Sequence, residues 1–266
     1  MENNQKHRRK PYEKAEEKTA ERMTVEGRNP VTEALLSGQA IDKIWISETA
    51  KQGGIGKLTA LAREKGVPVQ FVNPKKVDSL SKTSASQGVV AVCSAVSYAS
   101  MEDIFQHADK RGQQPFIIIA DEITDPHNLG AIIRSANAAG ADGVIIPKNR
   151  AVGLDAVVAK TSAGAVYHTP VVRVTNLAQT AKELKKQGLW LVGADMSGEK
   201  TLYESDMTGA LALVVGSEGK GISRLLKELC DFMVRIPMLG ETESLNASVA
   251  AAVMMYEVLR QRGLSS

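Results

Sequence analysis

Two hydrophobic patterns divide the chain. From about residue 115 onward, short apolar runs such as Phe116-Ile117-Ile118-Ile119-Ala120 and Leu211-Ala212-Leu213-Val214-Val215 contain no polar position. Strands of that kind are buried on both faces, as in a parallel sheet covered by helices. The runs predict strands at 116–120, 143–146, 169–172, 189–194, 211–215 and 233–236, alternating with helices near 128–139, 176–187, 222–229 and 247–261. Residues 25–97 alternate on a smaller scale, with strands predicted at 43–46, 69–72 and 88–96 and helices at 31–37, 58–65 and after Pro74. Asn29-Pro30 offers an N-cap and a proline at the first helical position for the earliest helix, and Gly38 ends it. The whole predicts a small α/β sandwich over 25–97, a linker helix over 98–114 and a larger α/β domain over 115–266.

The last helix differs from the others. Val249 to Tyr256 is apolar on nearly every face, which predicts burial. Its first turn is crowded by Ser244, Asn246 and Ser248, after a strand that ends at Ile236-Pro237-Met238. The orphan N–H groups of a buried helix start need partners; Asn246 is a good N-cap and the two serines add hydroxyls. A polar cluster at such an end suits an anionic or strongly hydrogen-bonding ligand.

Composition adds less. In 266 residues, 43% hydrophobic and 24% charged positions are ordinary for a globular protein, and the length favours two domains plus a tail. The net charge of +3 matters through its placement: Lys/Arg against Asp/Glu count seven to five in 1–24, nine to six in 25–97 and seventeen to nineteen in 98–266. Positive charge in the N-terminal part suits a polyanionic partner there. Residues 1–24 are nearly devoid of apolar positions and are expected to be a disordered basic arm. The longest apolar run, Val249–Tyr256, is too short to span a bilayer, and no apolar stretch follows the basic start at 5–10, so a cytoplasmic protein without membrane segments is expected. Cys93 and Cys230 have no metal-ligand spacing and are expected to be reduced core residues, and the four histidines form no ligand cluster, so no metal is expected.

Ligands of open parallel sheets collect at the carboxyl ends of strands. Three loops there carry candidate chemistry. The first, Asp121 to Arg134, places Asn128 at a helix start, Gly130 where close approach is possible, and Arg134 six residues on, out of vertical register with Asn128. The second, Gly216-Ser217-Glu218-Gly219-Lys220-Gly221, has the glycines of a phosphate cradle but neither the Walker nor the dinucleotide spacing. Glu218 would repel a phosphate, so a neutral or cationic group suits it better. The third is the segment 236–248. Each alone is as readily a capped helix or a tight turn.

Together the three resemble the ordered motifs of the SpoU branch of the SPOUT RNA methyltransferases, the TrmH-like ribose 2′-O-methyltransferases. Asn128-x-Gly130-x-x-x-Arg134 resembles the first motif, Val214 to Gly219 the second, and Ile236-Pro237-Met238 with Ser244-Leu245-Asn246-Ala247-Ser248 the third. Val25 to Val31 with Glu33-Ala34-Leu35 resembles the family's L30e-like substrate-binding domain.

The resemblance implies an α/β protein with a parallel-sheet catalytic domain knotted as a trefoil, a homodimer formed through that domain, and S-adenosylmethionine as cofactor. By family position, Ala194, Gly216, Ile236, Met238 and Leu245 line the cofactor slot. Arg134, Asn128, Glu218, Ser244 and Asn246 are the implied catalytic positions. Arg134 would hold a phosphate and orient the ribose hydroxyl, with phosphate-assisted deprotonation as the alternative, because a guanidinium is a poor base. Asn128 and Asn246 would orient the arginine and the nucleotide, and Glu218 would shape the site. The domain plan most resembles enzymes that methylate a guanosine ribose of 23S rRNA. Alternatives are a tRNA ribose methyltransferase and a non-catalytic rRNA-binding assembly factor; a nucleotide-binding oxidoreductase lacks its fingerprint.

Overall fold

The computed structural model describes residues 24–263, apart from 37–38, 51–52, 82–85, 95 and 243. The basic arm expected over 1–24 lies almost wholly outside the described residues, as does the centre of the polar loop at 81–88.

The N-terminal region runs β1 (Thr24–Glu26), α1 (Arg28–Leu36), β2 (Ile41–Ser47), α2 (Ile55–Glu64), β3 (Val69–Val72), α3 (Pro74–Leu80) and β4 (Val89–Cys93). Its four strands form a mixed sheet in the order β1-β4-β2-β3, with only β2 and β3 parallel. Val31, Leu35, Ile44, Ile46, Leu58 and Val89 fill its core. α1 begins at Arg28, so Asn29 is inside the first turn and does not cap it. Val31 N already donates to Gly27 O at 3.1 Å, and Pro30, which lacks an N–H, loses nothing within the first turn. β4 is shorter than the apolar run suggested.

α4 (Met101–Arg111) links the two regions. It is shorter than the expected 98–114 because a capping box sets its start: Asp103 N donates to Ser100 Oγ at 3.2 Å, and the Asp103 carboxylate accepts from Ser100 N and Oγ at 2.7 Å each.

The C-terminal region alternates β5 (Phe116–Ala120), α5 (Pro126–Ala138), β6 (Gly143–Pro147), α6 (Ala156–Thr161), β7 (Val171–Val174), α7 (Leu177–Lys186), β8 (Trp190–Ala194), β9 (Lys200–Thr201), β10 (Leu211–Val215), α8 (Arg224–Leu229), β11 (Phe232–Arg235) and α9 (Ala247–Arg262). The seven strands form one sheet in the order β7-β6-β5-β10-β8-β11-β9, and every pairing is parallel. Side chains alternate across it, as the strand period requires. Phe116, Ile118, Val144, Leu213 and Val234 pack against α5, α6 and α9, whereas Ile117, Ile119, Ile145, Ala212 and Val214 pack against α4, α7 and α8. Burial on both faces is why these strands read as continuous apolar runs. β7 lies two residues later than expected, since Thr169 is buried and accepts from Asn137 Nδ2 instead of pairing in the sheet.

α9 departs from expectation. Ala251, Met254, Met255 and Val258 are buried, but Val249 is 47% exposed and Tyr256 52%. Its start is open as well, with Asn246 exposed. One apolar face of this helix is therefore bare in the single chain. The inner face is fixed by Gln261, whose Oε1 accepts from Met207 N at 2.8 Å and whose Nε2 donates to Ser205 O at 2.9 Å.

The two regions meet at a polar junction. Arg173 on β7 donates through Nη1 to Asp42 Oδ1 at 2.8 Å and Asp42 O at 3.0 Å, and through Nη2 to Ile41 O at 2.8 Å. Its guanidinium lies 4.3 Å from the Tyr98 ring centroid. Tyr98 donates its hydroxyl to Asp42 and accepts from Leu154 N at 3.1 Å. Burial, with Asp42 beside it, pushes the Tyr98 phenol well above its usual range. Cys93 is buried and Cys230 half-buried, and neither is in a disulfide; burial, then Asp231, pushes the Cys230 thiol up to about 12. No helix among the described residues is long and apolar enough to cross a membrane.

Candidate active site

The loops after β5, β8, β10 and β11 come together at the carboxyl edge of the large sheet. Each is shaped by its own sequence. Asp125 caps α5 by accepting from His127 N at 3.0 Å, with Pro126 at the first helical position. Asn128 is thereby left free for contacts elsewhere. Gly130 is required by helix packing: a Cβ there would lie 1.9 Å from Thr161 Oγ1 on α6. Gly216 is required by its own loop, which closes through Ser217 N to Gly221 O at 3.1 Å and Gly221 N to Ser217 O at 2.9 Å. A Cβ at 216 would meet the Gly221 carbonyl carbon at 2.1 Å. A place in the cofactor slot, expected of Gly216, is thus secondary to the turn itself as the reason for a glycine there.

Three of the expected polar residues converge. Asn246 Nδ2 donates to Asn128 Oδ1 at 3.0 Å and to Glu218 Oε1. Asn128 Nδ2 donates to the same Glu218 oxygen at 3.2 Å, and Ala247 N approaches it at 3.4 Å. Asn246 Oδ1 meanwhile caps α9, accepting from Ser248 N at 2.9 Å and Ser248 Oγ at 2.6 Å. One asparagine therefore starts the helix with its oxygen and fixes the glutamate with its nitrogen. A carboxylate at a helix N-terminus is also electrostatically favoured.

The other two residues stand apart. Arg134 is exposed on α5 and makes no hydrogen bond or ion pair among the described residues. Asn128 and Asn246 do not orient it, contrary to expectation; six helical positions turn its side chain away, and both amides are committed to Glu218. Ser244 is exposed and lines the adjacent cavity without joining the cluster.

That cavity, of about 320 Å³, is bordered by Ala194, Gly216, Ile236, Met238 and Leu245, the five positions expected to hold a cofactor, together with Asp195 and Glu218. Apolar walls with two carboxylates suit an organic cation that carries a flat apolar group. Burial works to raise the Asp195 carboxyl, but hydrogen bonds from Lys227 and Ser197 outweigh it and hold it below its usual range. Lys227 Nζ lies 2.8 Å from Asp195 Oδ2. A larger cavity of about 730 Å³ opens near the amino ends of β8, β10 and β11, beside Trp190, Leu211 and Phe232. It borders Ser197 and Glu199 of the loop after β8 but none of the expected site residues, so its size does not make it the site.

Two contributors escaped sequence reasoning. Asp121, buried at the end of β5, accepts from Ser223 N at 2.8 Å and so pins the second loop to the first. Its signal was a lone aspartate directly after an all-apolar strand. Asp195, directly after Ala194, carried the same signal.

The chain is similar to known proteins over most of its length. Residues 115–256 match the SpoU rRNA methylase family, and residues 24–99 match the RNA 2′-O ribose methyltransferase substrate-binding domain. The chain is 49% identical over 236 residues, 89% of its length and 94% of the relative's, to a Bacillus subtilis (strain 168) protein assigned to the TrmH family of tRNA/rRNA methyltransferases. Among solved structures it resembles the SpoU methyltransferase AviRb of Streptomyces viridochromogenes, crystallised with AdoMet, at 28% identity and a TM-score of 0.58, covering 91% of this chain and 90% of that one. An AdoMet-bound rRNA methyltransferase of Sinorhizobium meliloti aligns at 26% identity and a TM-score of 0.57, over 91% and 88%. The TrmH/SpoU tRNA modifying enzyme of A. aeolicus, 32% identical with a TM-score of 0.52, covers only 56% of this chain and 76% of its own.

Proposed function

Because the chain belongs to the SpoU family of RNA methyltransferases, we propose that it methylates a ribose 2′-hydroxyl of RNA with S-adenosylmethionine, that the target is a guanosine of 23S rRNA or a large-subunit precursor, and that it acts as a homodimer. The observation that carries the reading is the cavity lined by all five expected cofactor positions, with the Asn128–Glu218–Asn246 cluster at its rim. Ile236, Met238 and Leu245 would hold the apolar parts of the cofactor, and Glu218, unlike the Lys227-paired Asp195, suits its positive charge. When bound, the cofactor supplies an already activated methyl group. The chain's own residues then have only to align the hydroxyl and accept its proton. Arg134, exposed and without a partner among the described residues, is free to hold an RNA phosphate beside the target ribose.

The rRNA reading draws on coverage. The rRNA methyltransferase aligns through both regions, whereas the tRNA modifying enzyme aligns over little more than half of the chain. The tRNA alternative draws on the Bacillus relative, whose family description names both substrates. The homodimer draws on the bare face of α9, with Val249 and Tyr256. The threading of the C-terminal segment implied by the resemblance is part of the same proposal.

Arg134→Ala is expected to lower methyl transfer by about a hundredfold or more while calorimetric affinity for S-adenosylmethionine stays unchanged; near-native activity would remove Arg134 from the mechanism. Leu245→Trp, which fills the cavity without distorting the Gly216 turn, is expected to abolish cofactor binding. Stalled primer extension on RNA from cells with and without the gene identifies the nucleotide, and a stop confined to tRNA would overturn the rRNA assignment.

A further inference from the structure

A second concave site lies between the two regions, and nothing in the methyl-transfer reading accounts for it. It is a cleft of about 180 Å³ lined by Lys43, Trp45 and Val92 from the small sheet and by Pro147, Lys148 and Arg173 from the large one. Trp45 is its aromatic wall. Lys43 Nζ and Lys76 Nζ lie 5.2 Å and 5.6 Å from the Trp45 ring centroid. Lys148 enters from the opposite side; burial, then the nearby Arg173, holds its ammonium below the usual lysine range.

The charges around the cleft do not balance. Asp42 is taken by Arg173, Ser94 and Tyr98. Asp155 is taken by the start of α6, accepting from Val157 N and Val158 N at 2.9 Å each. Lys43, Lys76 and Lys148 have no carboxylate partner among the described residues. Three ammonium groups without a carboxylate partner among the described residues, two of them resting on one half-buried indole, match an anion that carries a flat π-system. That is the chemistry of a nucleotide.

Position strengthens the match. Lys148 directly follows β6, the neighbour of the strand whose loop carries Asn128. The loop after β6 is tied to the loop after β5 by Val152 N donating to Ile123 O at 3.0 Å. Neighbouring strands are about 5 Å apart, and the cleft opens on the same edge as the candidate active site, one strand spacing from the loop that carries Asn128 and two from the loop that carries Glu218.

We propose that this interdomain cleft binds an unpaired nucleotide of the substrate RNA flanking the methylated one, its base stacked on Trp45 and its phosphates on Lys43 and Lys148. The proposal rests on the reading of the chain as an RNA methyltransferase, and it assigns the junction between the two regions as an RNA subsite in its own right.

Trp45 and Trp190 are the chain's two tryptophans, so Trp190→Phe leaves a fluorophore at the cleft alone. In that full-length variant a short single-stranded RNA is expected to quench the emission, and an abasic ribose-phosphate oligomer is expected not to. Lys43→Ala and Lys148→Ala should each lower the salt dependence of binding by about one charge. In methyl-transfer assays Trp45→Ala should raise KM for an rRNA fragment by about ten- to a hundredfold, with kcat and calorimetric S-adenosylmethionine affinity unchanged, and Trp45→Phe should restore most of the loss. Absence of quenching would overturn the subsite, and so would equal quenching by the abasic oligomer or by polyglutamate, the latter pointing to an acidic protein partner. An unchanged KM in active Trp45→Ala would also overturn it. The fluorescence titration requires no catalysis, so loss of the methyl-transfer reading would show separately, as absent turnover in the native chain.

Discussion

Asp42, Tyr98 and Arg173 form one polar network, Asn128, Glu218 and Asn246 another, and the two stand in opposite relation to solvent. The first is sealed: the Arg173 and Asp42 side chains are 10% and 11% exposed, and both charges are answered within the chain. The second is open, with the exposed Glu218 and Asn246 and the half-buried Asn128 gathered around a single carboxylate that has no ion-pair partner among the described residues. Both join segments far apart in sequence. A sealed network can fix only the geometry of its own surroundings, whereas an open one at the carboxyl edge of a parallel sheet is placed to meet a ligand. An arginine's value as a functional candidate thus depends on what already holds it: Arg173 is committed, and Arg134 is not.

The sealed network should break hardest. Arg173→Ala leaves the Asp42 carboxylate buried without its counter-charge and is expected to cost about 3–5 kcal/mol in urea unfolding, while Arg173→Met with Asp42→Asn should recover a large part. A loss below about 1 kcal/mol for the single variant would mean that the junction opens to water. The open network should respond in activity instead. Glu218→Gln is expected to leave stability within about 0.5 kcal/mol yet reduce labelled methyl transfer on the order of a hundredfold. Asn246→Ser keeps a capping oxygen but loses the amide that fixes Glu218. It should match the native melting temperature within a degree or two and lose roughly tenfold in turnover. If both variants turned over like the native chain, the open cluster would be only a helix start.

The smallest effect is expected at a site belonging to neither network. Hydrogen bonds from Ser100 N and Oγ hold the Asp103 carboxyl below its ordinary 3.8. A depressed folded value gives stability that is fully present above the unfolded one and is lost as pH falls through the folded one. The acid limb of a pH-stability curve should therefore be slightly shallower in Asp103→Asn below about pH 4, because the small contribution of the carboxylate is already missing from the variant near neutrality.

The large sheet was legible because each central strand is buried on both faces, so Phe116–Ala120 and Leu211–Val215 read as unbroken apolar runs. α6 was missed, although Asp155 before Ala-Val-Val is a readable start. β9 was not readable at all: two residues, Lys200 and Thr201, become a strand only because β11 lies beside them. The site residues were individually visible through their family motifs, but no spacing foretold that Asn128 and Asn246 would share Glu218. The junction was invisible for a stronger reason. Asp42 and Arg173 are 131 residues apart, and neither carries a local signature.

The place of β11 in the sheet also bears on how the protein is made. β8 and β9 are close in sequence, yet they do not pair, because a strand from residues 232–235 stands between them. During synthesis β9 has no neighbour to pair with until some thirty further residues have emerged. The edge of the sheet next to the candidate cofactor cavity is therefore the last part to close, and it does so through contacts of long sequence separation, the kind that form slowly. A nascent chain stalled before residue 232 would have its small domain and the five strands from β7 to β8 of its large sheet, but neither β11 nor α9, and so no complete place for the methyl donor.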